Sequence, residues 1–236
     1  MTAELRQVQA IDETMEKASH ALTTMDYFEA ERLCSRALDR AWGMKDYERM
    51  ARICMPLQEA RRQLRQLAAD TRRVFVLNSQ LPRTGPLESG CYLLEPPLLG
   101  IDGHTLRSLG QGKRTPILVL TREPLTRKGT WPIVSVGTGP TTPISIRVYV
   151  EPLAGPPTSE WFLEVLEKLG DQALANVKPG PAVFRLEDYL HALDALPEHE
   201  KLMQALEAAC RLAVVEPNPI KFRRTGFHDD EDDGSF

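Results

Sequence analysis

No two cysteines of this chain stand in the Cys-x-x-Cys spacing of a zinc or redox site. Cys34, Cys54, Cys91 and Cys210 are scattered, and isolated thiols of this kind read as buried free cysteines rather than as a disulfide framework or a metal set. Nor is there a Gly-x-Ser-x-Gly elbow, a His-Glu-x-x-His pair or a Gly-x-Gly-x-x-Gly turn, so the usual signatures of serine hydrolases, zinc peptidases and dinucleotide binding are missing. The first residues, Met1 to Arg6, lack the basic-then-apolar order of a signal peptide. No run approaches the ~18 apolar residues of a membrane span. The expected location is therefore the cytoplasm, with no membrane partner. A net charge of -4 over 236 residues is too small to choose a partner by itself.

Glycine and proline are almost absent from residues 1–71, where only Gly43 and Pro56 occur. Apolar residues recur there at helical spacing: Val8, Ile11, Met15, Ala18, Leu22 and Met25; then Tyr27, Ala30, Cys34, Ala37, Leu38 and Ala41; then Ile53, Leu57, Ala60, Leu64 and Leu67. The pattern predicts three helices near 3–24, 27–43 and 46–70, joined by short turns and so antiparallel to their neighbours. Pro56 either kinks the third or restarts it.

Composition changes after Arg73. Residues 82–157 hold 12 of the 18 prolines and 10 of the 15 glycines. Between them lie short β-prone runs at 74–77, 91–94, 117–121, 133–136 and 144–150. Only the last alternates cleanly, with Ile144, Ile146, Val148 and Val150 on one face. With no helical pattern of 10–15 residues visible between the runs, a central antiparallel β unit over 72–157 is expected. Two stretches, 76–94 and 119–134, share the order strand, proline loop, glycine, aromatic, strand, and suggest two similar hairpins.

From Thr158 the chain returns to helix. A stripe of Phe162, Val165, Leu166, Leu169, Ala173 and Val177 ends at Lys178-Pro179-Gly180-Pro181. A second helix is expected near 187–196 and a third after Pro197, and this 158–216 segment is expected to pack on the β unit. The acidic tail 217–236 has the composition of a disordered segment. The fold class expected from these patterns is α+β: N-terminal antiparallel helices, a central Pro/Gly-rich β unit, and C-terminal helices.

The segment from Asp26 to Leu38 carries a further signal. An aromatic pair, Tyr27-Phe28, follows a short turn, Ala30 comes shortly after it, and Ala37-Leu38 closes the pattern seven residues later. This resembles the second helix of a tetratricopeptide repeat, and the resemblance covers residues 11–44. It departs from the family in the first helix, where Thr14, Lys17 and Ala18 replace the large aromatic, Leu and Gly of the pattern, and Trp42 replaces the closing proline. The resemblance implies a helical hairpin that serves protein–protein interaction.

Three readings of function follow. The leading one is a non-catalytic adaptor or assembly protein acting through the N-terminal helices, with a protein partner or a second copy of the chain. Arg61, Arg62 and Arg65 are its candidate contact residues, from a segment (49–73) holding seven arginines against Glu59 and Asp70. The second is an enzyme handling a small molecule or phosphoester through the 100–123 loop, with Asp102, His104, Lys113, Arg114 and Arg122 as ligand candidates. Glycines there would let backbone N–H groups approach an anion. The phosphate-loop pattern fails, however, because Arg107 stands where its first glycine belongs and Arg114 where Ser or Thr should follow Lys113. The third is nucleic-acid binding through the arginines, disfavoured by the lack of interleaved aromatics. No catalytic residue, cofactor or metal ligand is indicated by a motif.

Overall fold

The computed structural model describes residues 3–82, 85–139 and 143–216. The acidic tail expected at 217–236 lies outside the described residues. Three helices open the chain: α1 (Ala3–Thr23), α2 (Tyr27–Met44) and α3 (Tyr47–Ala69). Their starts are written in the sequence. Asp26 accepts a hydrogen bond from the backbone N–H of Glu29 at 3.1 Å, and Asp46 does the same for Arg49 at 3.0 Å, each satisfying a donor that the first helical turn leaves open. Pro56 sits inside a continuous α3 and does not end it.

The stripe of small residues in α2 has a purpose in packing. Ala21, Ala30 and Ala60 meet where α1, α2 and α3 converge, and all three are buried. Small side chains let helix axes approach closely. Deeper along the bundle Cys34, Ala37, Ala41, Met50, Ile53, Cys54 and Leu57 join a large core that continues into the rest of the chain.

A five-stranded sheet follows, formed by β1 (Val74–Leu77), β2 (Gly90–Leu94), β3 (Ile117–Arg122), β4 (Trp131–Gly137) and β5 (Ile144–Val150) in sequential spatial order. It is a mixed sheet, which corrects the antiparallel expectation. β1, β2 and β3 are parallel, and only β3–β4 and β4–β5 are antiparallel. The two stretches read as similar hairpins therefore differ: 76–94 joins parallel strands, whereas 119–134 is a true antiparallel turn. The parallel step from β2 to β3 is made by α4 (Gly100–Gly112), a helix in the segment expected to be a loop.

Both faces of the central strands are covered, which explains why their sequences run apolar instead of alternating. Cys91 and Leu93 of β2, with Leu118 and Leu120 of β3, face the main core. Their neighbours Tyr92, Leu94 and Val119 face a second core with Leu106 of α4. The C-terminal helices α5 (Ser159–Asn176), α6 (Ala182–Ala195) and α7 (Glu200–Val215) supply Phe162, Leu169, Leu186, Leu193, Leu202 and Leu206 to the main core. The α+β class stands, with helices at both ends and a mixed sheet between them. α5 and α6 lie against β4 and β5, while α7 packs chiefly on α3 and α6.

His199 caps α7. Its Nδ1 accepts the N–H of Leu202 at 3.3 Å, and its ring lies directly over Gly170, where any Cβ would overlap it. Its Nε2 lies 3.3 Å from Glu167 Oε2, off hydrogen-bond geometry. Burial lowers its pKa below the ordinary 6.5, although Glu167 and Asp171 oppose the shift.

Two outcomes follow from this packing. Ala30→Leu overfills a site with no exposure and should cost about 1–3 kcal/mol. A thermal melt equal to that of the parent would mean that Ala30 is not enclosed. For His199 the folded pKa is below the unfolded one, so its contribution is fully present above the unfolded value and is lost as pH falls through it toward the folded value. Stability should decline below about pH 6.5, by at most about 1.4 kcal/mol per pH unit from this group. His199→Asn, which can cap but not titrate, should flatten that slope. An unchanged slope would remove His199 as its cause.

Candidate functional site

The glycines of α4 determine which way the helix faces. A Cβ at Gly103 would meet Thr121 Oγ1 at 2.6 Å, and one at Gly110 would meet Ile117 Cγ1 at 2.6 Å. Gly103, Leu106 and Gly110 thus form the buried face of the helix, set close against the sheet. About 100° round the helix from that face lie His104, Arg107, Ser108 and Gln111, which recur at i, i+3, i+4 and i+7 and so share one face.

That polar face looks across a cleft of about 810 Å³. On the far wall α2 presents Phe28, Glu31, Arg32, Ser35, Leu38 and Asp39 at the same helical period. Arg61 of α3 and Leu190, Leu193 and Asp194 of α6 complete the lining. Two helices that each bury an apolar face elsewhere therefore turn polar faces toward each other.

Most charges in the cleft are paired. Arg32 contacts Glu29 at 2.6 Å, and this pair holds the Glu29 carboxyl below its usual range. Arg61 contacts Glu31 at 3.2 Å, and Gln111 donates to the same carboxylate. Arg114 pairs with Asp26, with its guanidinium 6.0 Å from the centre of the Phe28 ring. Arg107 instead donates to Ser135 Oγ at 3.0 Å and to the carbonyl of Val136 at 2.5 Å. Burial lowers its pKa, against the attraction of Glu198 and Asp194, but a guanidinium stays protonated in such surroundings. Asp39 keeps solvent contact, yet the surrounding protein raises its pKa, against Arg61. Ser35 Oγ and His104 Nδ1, both on residues of the cleft lining, are buried without a hydrogen-bond partner, an arrangement that costs free energy unless something satisfies them.

The residues expected as a ligand set do not form one site. His104 and Arg114 line the cleft. Asp102 caps its own helix, accepting the N–H of Leu99 at 2.8 Å. Lys113 donates to the carbonyl of Gly85 at 2.5 Å. Arg122 lies at the end of β3, 3.0 Å from Glu95 and 4.7 Å from the centre of the Trp131 ring. No hydrogen bond joins Asp102 to His104 among the described residues, so these two do not form an acid–base pair.

The arginine-rich segment is largely neutralised from within. Arg49 pairs with Asp12 and Asp46, Arg52 with Glu48, Arg61 with Glu31, Arg62 with Glu59, Arg65 with Glu167 and Arg73 with Glu88. Arg65–Glu167 ties α3 to α5 at 2.8 Å. Only Arg61 of the three expected contact residues lines the large cleft; Arg65 borders a smaller neighbouring one.

All four cysteines are buried. Burial pushes the thiols of Cys34 and Cys91 up to about 12, and Cys54 is raised by its hydrogen bond with Cys210 and by burial. Cys34, Cys54 and Cys91 are therefore not disposed to act as thiolates near neutral pH. Among the described residues no three His, Cys, Asp or Glu side chains gather as a metal set, and no helix is long and apolar enough to cross a membrane. No family model, curated protein or solved structure matches the chain.

Sequence reasoning missed Arg107, Ser108 and Gln111 because the segment was read as a glycine loop. The available signal was the polar stripe of residues 104 to 111, whose period is that of a helix. Ser35 and Asp39 carry no such signal, because they lie on the polar side of α2, beside the apolar stripe that the periodicity marks.

Proposed function

We propose that this protein is a non-catalytic interaction protein that receives a polypeptide segment in the cleft between α2 and α4. The observation that carries the reading is the opposition of two polar helix faces, with unpartnered buried atoms on both walls, across an open cleft. A helix pair packed through small residues, as α1 and α2 are, fits the repeat-like hairpin suggested by Tyr27-Phe28 and Ala37-Leu38. In this reading Arg61 is a wall residue, and Arg62 and Arg65 act in stability more than in contact.

The alternatives have less support. An enzyme would need its acid–base groups within reach of each other, and Asp102 and Arg122 are engaged by Leu99 and Glu95, away from the cleft that His104 lines. Nucleic-acid binding would need cations free to neutralise phosphates, and the arginines of 49–73 mostly face carboxylates of the same chain. Four buried thiols fit a reducing compartment and so support the cytoplasmic setting.

Selection of random linear peptides displayed against the full chain tests the proposal. Enriched peptides should bind the parent and lose binding to Ser108→Trp, a change at an exposed position that fills the cleft. Enrichment of peptides that bind both proteins equally, or no enrichment at all, would refute the cleft as the interaction site.

A further inference from the structure

Arg107 differs from the other arginines of the cleft. Arg32, Arg61 and Arg114 each contact a carboxylate. Arg107 makes no ion pair among the described residues. Two of its N–H groups go to uncharged acceptors, Ser135 Oγ and the carbonyl of Val136, and Asp194 and Glu198 act on it only from farther away. A guanidinium has five N–H donors in a planar fork, and three remain. The two bonds it does make fix its position, because Ser135 is itself held by donation to the carbonyl of Ala195 at 2.6 Å. A desolvated cation held in place, with donors to spare, is the arrangement that binds a planar oxyanion well.

The surroundings narrow the kind of anion. His104, one turn from Arg107 on the same helix face, has an unpartnered Nδ1, and Ser108 lies beside them. Glu29, Glu31, Asp39 and Asp194 also line the cleft. Their field opposes a doubly charged phosphate more than a singly charged carboxylate, and it disfavours a segment with many acidic residues.

We propose that the cleft anchors a single carboxylate of a bound polypeptide on Arg107, within a segment that is otherwise neutral or basic. This rests on the interaction reading above and adds the chemistry of its anchor. The carboxylate comes from a chain terminus or from one acidic side chain.

The test is a titration of the full chain, followed through the NMR signals of the Arg107 Nε–H and the His104 ring. The probes are pooled acetylated hexapeptides without Asp or Glu as C-terminal acids, the same pool as amides, an amide pool with one Asp, and inorganic phosphate. The acid pool, the Asp pool or both should shift the two signals, and which of them does so identifies the source of the carboxylate. The neutral amides and phosphate should not. Arg107→Met should weaken binding at least about tenfold. Should that variant fail to fold, Ser108→Asp, at an exposed position, supplies a resident carboxylate and should compete to the same extent. Shifts that are equal for acid and neutral amide pools would overturn the anchor and leave the interaction reading standing. Phosphate shifting the signals when neither carboxylate pool does would replace the carboxylate with phosphate. No shift with any pool would overturn both readings.

Discussion

The close seating of α4 on the sheet is the constraint on which the rest of the molecule depends. Parallel strands need a crossover, and a helix is the usual one. The crossover from β2 to β3 has only the 22 residues between Leu94 and Ile117 available. It must turn, form a helix and return while remaining against the strands. Gly103 and Gly110 remove the side chains that would hold the helix off, and Leu106 between them fills the gap with a buried apolar group. Because the glycine side faces the sheet, the adjoining flank with His104, Arg107, Ser108 and Gln111 lines the cleft, where Arg107 still reaches Ser135 and Val136 at the sheet's β4. The polar wall of the cleft is thus a geometric consequence of how the sheet is covered.

The opposite wall follows from the same logic in α2. Its small face, with Ala30, Cys34, Ala37 and Ala41, is used for helix packing, which leaves Glu31, Arg32, Ser35 and Asp39 on the side toward α4. The main core then runs from these helices through β2 and β3 into α5, α6 and α7. Ion pairs such as Arg65–Glu167 supplement that core at its margin. They are partly exposed and each contributes about 0–1 kcal/mol, so orientation of the elements rests on buried side chains.

Much of this was legible in the sequence where local and tertiary signals agree. Asp26 and Asp46 announce helix starts, the stripes from Ile11 to Leu67 announce helix faces, and Thr158 caps α5 as its position suggests, accepting the N–H of Trp161 at 3.2 Å. α6 begins at Ala182, earlier than the expected 187–196, because Pro181 precedes its first turn rather than closing off a loop. The signals conflicted at 100–112. Four glycines there argue against a helix on intrinsic preference, and close packing overrides that preference. Missing this helix also concealed the parallel half of the sheet, because without a crossover the strands could only be read as antiparallel. The candidate site shared the same fate: its α4 wall exists only once the segment is helical.

The central claim is that α4 is a helix held to the sheet through its glycine face. The most direct measurement is the thermal stability of Gly103→Ala beside that of Gly112→Ala. Both substitutions improve helix preference, but a Cβ at Gly103 meets Thr121 Oγ1 at 2.6 Å whereas one at Gly112 meets nothing within 4 Å. Gly112→Ala should be neutral or stabilising by up to about 1 kcal/mol, and Gly103→Ala should destabilise by about 1–3 kcal/mol. Equal effects from the two changes would contradict the close seating of α4 and, with it, the placement of the cleft.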